Sequence, residues 1–195
     1  MANICPCPDQ LLVCASQKGD KGAFEKLVIK YQDRIFNMLL RMLGDYETAL
    51  DLSQETFTHA YQGLKKFKRE STFFTWLFRI ALNMATSRKR QLARSSQKIF
   101  LSQEPDSSME SFQDVTREPS PEAYLIQQEM QSEIQKAISS LPLEFREALI
   151  LRDMEALSYE EIQEILGCPL GTVRSRIHRA RLMLKEKLSS VSEIF

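Results

Sequence analysis

The chain has 195 residues, 43% of them hydrophobic, with 26 basic and 26 acidic side chains that cancel to a formal net charge of zero. Its composition is that of an ordinary soluble protein, and no apolar run approaches the roughly 20 residues that span a bilayer. MANICPCPDQ lacks a basic segment followed by an apolar core, so a secretion signal is not expected and a cytoplasmic location is. The cysteines, Cys5, Cys7, Cys14 and Cys168, have no nearby histidine and no paired C-x-x-C spacing. They read as reduced thiols, with no metal or cofactor expected, and a redox or metal role for the trio Cys5, Cys7 and Cys14 is the alternative. The neutral total hides an uneven distribution: residues 1–94 carry a net +6, and residues 95–121 and 122–195 carry −3 each. Local stripes of charge are therefore the electrostatic footprint to read.

Taken in chain order, a short helix is expected at 9–17. In AFEKLVIKYQDRIFNMLLRML, Phe24, Leu27, Val28, Tyr31, Ile35, Met38, Leu39 and Met42 recur every three or four residues. That spacing predicts a long amphipathic helix, ended by Gly44. A third helix is predicted from Tyr46 to Leu64, and a fourth from Phe73 to about Arg94. Residues 95–120, SSQKIFLSQEPDSSMESFQDVTREPS, are rich in Ser, Pro, Asp and Glu without a sustained period. Such a segment buries too little apolar area to offset its ordering entropy, which predicts a flexible linker.

The second half opens at Ser120-Pro121, an N-cap followed by proline in the first helical position. Its first helix runs to about Ser139, and Leu141-Pro142 restarts the chain into a helix ending near Met154. Ser158 and Glu161 form the pattern of a capping box and open a short helix to Leu166. Gly167 stops it, and Thr172 starts a last, basic helix. No segment alternates like a strand, so the fold is expected to be all α, with helical units at 1–94 and 121–195.

A short helix, a turn containing Gly and Pro, and a longer basic helix form a helix-turn-helix arrangement. At 100° per residue, Val173, Ile177, Ala180, Leu184 and Leu188 share a face that would pack on Ile162, Ile165 and Leu166. Arg174, Ser175, His178 and Arg179 lie opposite, with Arg176 and Arg181 on the flanks. One dry face to fix the pose, polar side chains near the N-terminus for base edges and flanking arginines for phosphates are what duplex reading requires. Leu182 faces away from the dry stripe, either as plain surface or as a contact for a protein partner.

Residues 65–94 hold 9 basic side chains, one acid and five aromatics: Phe67, Phe73, Phe74, Trp76 and Phe78. Most of these rings belong to a broad apolar face with Leu77, Ile80, Ala81, Met84 and Ala85. Thr72, Arg79, Asn83, Thr86, Ser87 and Arg90 form the polar face. Phe67, in a loop, and Trp76, at the border of the polar stripe, are expected to stand outside the core. Cations that follow a backbone, with rings that stack on unpaired bases, suit single-stranded nucleic acid. On the third helix, Asp51, Gln54, Glu55, Thr58 and Gln62 make an acidic-polar stripe opposite Ala49, Phe57, Ala60 and Leu64.

DLSQETF (51–57), STFFTWLFRIALN (71–83) and LSYEEIQEILGCPLGTVRSRIHRAR (157–181), in that order, resemble bacterial extracytoplasmic-function (ECF) sigma factors of the envelope-stress kind. The resemblance spans nearly all of the chain outside the N-terminus and the linker. It implies a region 2 domain at 1–94, a linker at 95–120 and a region 4 domain at 121–195. It assigns Asp51, Gln54 and Glu55 to binding core RNA polymerase. It assigns Phe67, Lys68, Ser71, Trp76, Arg79, Asn83 and Arg90 to reading and melting the minus-ten element, with capture of an unstacked base. Thr172, Arg174, Ser175, Arg176, His178, Arg179 and Arg181 fall to the minus-thirty-five element. It further implies an anti-sigma factor partner, often membrane-anchored in the family, and no small-molecule substrate. His178 stands where members of the family vary, and the CPC segment has no counterpart in the family pattern.

Two other classes compete with this reading. An enzyme is disfavoured, because His59 and His178 are the only histidines and no phosphate loop, nucleophile elbow or metal spacing is present. A stand-alone helix-turn-helix regulator would bind its operator without polymerase, and would have no need of the aromatic-basic helix.

Overall fold

The computed structural model describes residues 8–98 and 121–192, all of whose regular elements are helical. Cys5, Cys7 and residues 99–120 of the expected linker lie outside the described residues. The first half contains α1 (Pro8–Gln17), α2 (Lys21–Leu43), α3 (Tyr46–Gly63), a 3₁₀ turn (Leu64–Lys66) and α4 (Phe73–Lys98). The second contains α5 (Pro121–Ser139), α6 (Leu143–Leu149), a π-helical turn (Ile150–Met154), α7 (Tyr159–Leu166) and α8 (Leu170–Ser192).

Local chemistry explains most boundaries. Asp20 and Asp45 cap α2 and α3, their carboxylates accepting from the N–H groups of Ala23 and Thr48 at 3.1 and 2.8 Å. Gly44 ends α2 in the left-handed region, φ 76°, and donates to Leu40 O at 2.7 Å. The expected capping box is present: Ser158 Oγ accepts from Glu161 N, and Glu161 Oε2 accepts from Ser158 N at 2.8 Å. Gly167, φ 63°, stops α7.

Three boundaries differ from expectation. Helix α4 continues through residues 95–98, the start of the expected linker, and α8 begins at Leu170 rather than Thr172. The helix expected to reach Met154 leaves α geometry after Leu149 and widens into a π turn, with Glu155 N bonding to Ile150 O at 3.0 Å. Widened turns of this kind concentrate at functional positions.

The stripe read on α2 is the floor of the core: Leu27, Ile35, Met38, Leu39 and Met42 are fully buried. Each such side chain contributes about 1.5–3 kcal/mol by leaving water. Helices α3 and α4 pack on it through Ala49, Phe57, Ala60, Leu77, Phe78 and Ala81. That core continues without a break into the second half, through Ile138, Leu149, Ile150, Leu151, Ile162 and Val173.

Polar contacts fasten the two halves. Arg146, buried on α6, donates to Met42 O at 2.9 Å in the first half, and to Leu141 O and Ser139 O in its own. Glu155, just beyond the π turn, pairs with Arg34 at 3.2 Å and Arg41 at 3.4 Å on α2. Gln135 of α5 donates to Arg41 O at 3.1 Å.

Candidate nucleic-acid interface

Helix α8 divides as its periodicity required. Val173, Ile177 and Ala180 are buried, Leu184 and Leu188 are half-buried, and Arg174, Ser175, His178 and Arg179 are exposed on the opposite face. Arg174 lies over the Tyr159 ring at 5.7 Å, while Arg152 covers the same ring at 4.8 Å. The start of α7 thereby positions a base-reading candidate on α8. Leu182 is 48% exposed, as its place off the dry stripe implied.

The flanking arginines are not free cations. Arg176 pairs with Glu144 of α6 at 3.0 Å. Arg181 makes a two-pronged pair with Asp153 of the π turn, which raises its pKa through the hydrogen bond to that carboxylate. Thr172, half-buried, accepts through its backbone carbonyl from Ser175 Oγ at 3.0 Å.

The α4 face begins at a loop. Thr72 caps the helix, its hydroxyl accepting from Thr75 N at 3.0 Å. Trp76 is half-buried against the end of α3, where a Cβ on Gly63 would come within 3.3 Å of the indole. Lys68 and Arg79 are exposed, and Ser71 is half-buried. The expectation that Phe67 stands outside the core is corrected: it is only 9% exposed and stacks on Trp76, centroids 4.7 Å apart at 29°. The reason is that its loop folds back on α1, where Gln17 holds the carbonyls of Leu64 and Phe67 at 2.9 and 3.0 Å.

Further along α4, Asn83, Thr86, Ser87 and Arg90 line a cleft of about 740 Å³, whose opposite wall includes Glu144, Glu147 and Arg176. Thr86 Oγ1 donates to Glu147 Oε1 at 2.7 Å across it. Burial raises the pKa of Glu147, opposed by the Thr86 hydrogen bond and by Arg176 and Arg90. Asn83, Arg90 and Arg176, assigned to two different DNA elements by the sequence, thus face one shared cleft. Burial likewise raises the pKa of Glu155, against the pull of Arg34 and Arg41. It lowers that of Arg146.

The α3 stripe is as read: Asp51, Gln54, Glu55, Thr58 and Gln62 are exposed, while Ala49, Phe57, Ala60 and Leu64 are buried. Asp51 and Glu55 border a second cleft, about 290 Å³, whose far side carries Arg88 of α4. Sequence reasoning missed Arg146, Glu147 and Glu155. The one local signal was Arg146 itself, a charge in line with the apolar Leu143 and Ile150.

A helical unit with an aromatic-basic helix, followed by a helix-turn-helix unit, defines a class, and comparison with known proteins names it. Residues 27–95 match the Sigma-70 region 2 family and residues 131–184 match Sigma-70, region 4. The chain is 39% identical over 180 residues to the RNA polymerase sigma-H factor of Pseudomonas aeruginosa, covering 92% of this chain and 93% of that one. It is 38% identical over 183 residues to the ECF RNA polymerase sigma-E factor of Escherichia coli, covering 92% and 94%. Its fold is similar to CnrH in complex with the cytosolic domain of CnrY, with TM-score 0.68, 26% identity and coverage of 94% and 99%. The sigma factor RpoE of Bartonella quintana, in complex with the anti-sigma factor NepR, gives TM-score 0.67, 27% identity and coverage of 85% and 96%. The chain is a sigma-70 family protein. Within that family it belongs to the ECF RNA polymerase sigma factors, which direct core polymerase to promoters and act by binding rather than by catalysis.

Proposed function

We propose that this sigma factor acts in the cytoplasm, carries no catalytic activity of its own, and serves a stress regulon under an anti-sigma factor. Helices α1–α4 act as the unit for polymerase and minus-ten DNA, and helices α5–α8 as the unit for minus-thirty-five DNA. The single observation that carries the DNA assignment is the split face of α8, with Val173, Ile177 and Ala180 buried and Arg174, Ser175, His178 and Arg179 turned outward. A helix held in that way offers side chains to the base edges of the major groove without disturbing its own packing.

In the minus-ten unit, Lys68, Arg79 and Arg90 follow the backbone. Ser71, Asn83 and the Phe67–Trp76 stack receive an unstacked base. The contacts offset part of the cost of unpairing and unstacking it. Asp51, Gln54 and Glu55, exposed on α3, dock on polymerase. Thr172 sets the start of the reading helix, while Arg176 and Arg181 reach phosphates after exchanging Glu144 and Asp153 for DNA.

Promoter engagement requires the halves to part. Asn83 and Arg90 share a cleft with Arg176. Elements near minus ten and minus thirty-five are separated by roughly 80 Å of straight duplex at about 3.4 Å per base pair. The described arrangement is therefore a closed form, in which the two faces cannot follow their separate elements at once. A partner that holds the halves together would keep the factor inactive, which fits the anti-sigma complex of the Bartonella relative.

The test is run-off transcription with purified core polymerase, with and without this protein, on fragments of its own genome. New discrete starts that share two spaced upstream elements are expected. Core binding without new starts would contradict initiation, and operator binding without core would point to a stand-alone regulator.

A further inference from the structure

No residue of helix α1 contacts DNA or polymerase in the proposed function, yet its last turn is wired into the loop that precedes α4. Gln17 Nε2 donates to Leu64 O at 2.9 Å and to Phe67 O at 3.0 Å, and Gln17 Oε1 accepts from Arg69 Nη2 at 3.0 Å. Arg69 also reaches Cys14 Sγ at 3.1 Å. Only a side-chain amide meets this set, because the carbonyls need a donor and the guanidinium needs an acceptor.

Arg69 occupies the left-handed region at φ 60°, an uncommon place for a residue with a Cβ, which persists when surrounding contacts over-determine it. The contacts here come from α1. That helix is itself anchored, since Asp9 accepts from Tyr31 Oη and Lys30 Nζ at 2.5 Å each. Burial and the Asp9 hydrogen bond push the Tyr31 phenol up to about 12, so the anchor keeps its proton across neutral pH. Between α1 and the loop lies a cavity of about 60 Å³, bordered by Val13, Phe67, Arg69 and Ser71. Its walls are set by the same hydrogen bonds.

We infer that Gln17 is a positioning residue for minus-ten recognition: it holds Phe67 against Trp76 and fixes the loop whose shape decides which unstacked base is accepted. This rests on the proposed role of the loop in base capture. Gln17 touches no DNA in this account. It acts through two backbone carbonyls, as preorganised supports do.

The experiment uses full-length chain in holoenzyme on pre-melted promoter templates that differ only in the non-template base at each minus-ten position. The readout is the ratio of transcripts between the best and worst base. Gln17→Glu keeps the shape and the Arg69 contact but removes both donors. Gln17→Ala removes all three contacts, and Lys18→Ala is the neighbouring control. Both Gln17 variants are expected to cut the ratio about tenfold, the scale of two lost neutral hydrogen bonds, while core affinity stays unchanged. The Lys18 variant is expected to leave the ratio alone.

An unchanged ratio, or a parallel fall on every template, would overturn the inference, because a merely structural defect does not discriminate between bases. The underlying reading fails separately. If Lys68→Ala and Ser71→Ala also leave the wild-type preference intact, the loop does not read bases and the inference falls with it. If those loop variants collapse the preference and the Gln17 variants do not, only the inference falls.

Discussion

The two helices proposed to face DNA, α4 and α8, divide their surfaces in opposite ways. Helix α8 keeps a narrow apolar stripe, and its base-reading residues project from the surface even in the closed form. Helix α4 is apolar over most of its circumference, with Phe73, Phe74, Leu77, Phe78, Ala81, Leu82 and Ala85 all buried. Its remaining polar edge carries Arg79, Asn83 and Arg90, all exposed, the last two lining the cleft shared with the other half. The difference teaches that the face proposed to read duplex stands on its own, whereas the face proposed to melt DNA runs, at one end, into a cleft walled by the other half. On α8 only the phosphate-side arginines are withheld, by Glu144 and Asp153.

The largest effect should come from breaking the presented face. Arg174→Ala and Arg179→Ala each remove a base or phosphate contact worth about 1–3 kcal/mol, so promoter-specific transcripts should fall roughly tenfold or more. The melting temperature should stay unchanged. Next is Asp51→Ala with Glu55→Ala, which should weaken core affinity about tenfold in a binding titration while leaving both DNA faces intact.

A smaller effect is expected from Arg34→Ala with Arg41→Ala, which leaves the buried Glu155 without its ion pairs and loosens the closed form. Discounted for the exposure of Arg34 and Arg41, the pairs hold about 1–2 kcal/mol, and fluorescence transfer between the halves should report several-fold more open molecules. Arg181→Ala should lower the salt slope of promoter binding by about 1 without changing base preference.

The smallest effect is that of pH. Burial raises the pKa values of Glu147 and Glu155 above 4.5, so the closed form binds protons more tightly than the open one. Closure should strengthen as pH falls from neutrality toward 4.5 and weaken as pH rises through the elevated values. The fraction of open molecules measured across that range checks the sign.

What the sequence disclosed follows the range of the interactions involved. The capping box at Ser158 and Glu161, the stop at Gly167 and the dry stripe of α8 are local, and they were legible to within a residue or two. The π turn was not, because it depends on how Asp153 and Glu155 are held by Arg181, Arg34 and Arg41 from distant elements. Phe67 was misread for the same reason: a ring in a polar loop looks free until Gln17, fifty positions earlier, ties that loop down. Arg146 lies in an apolar face whose purpose appears only with the Met42 carbonyl, 104 positions away. The residues proposed to read DNA are visible in the sequence as types and spacings. Their sharing of one cleft is not, because nothing local encodes the docking of the halves.

The most direct measurement places a fluorophore pair on the exposed positions Tyr61 and Leu182, introduced as cysteines in a chain whose own cysteines are replaced by serine. Energy transfer is then followed in the free chain, with core polymerase, and with core and promoter. High transfer in the free chain, falling when core and promoter are added, is the predicted result. The same high transfer in a transcribing complex would contradict the claim that the halves must part for the factor to work.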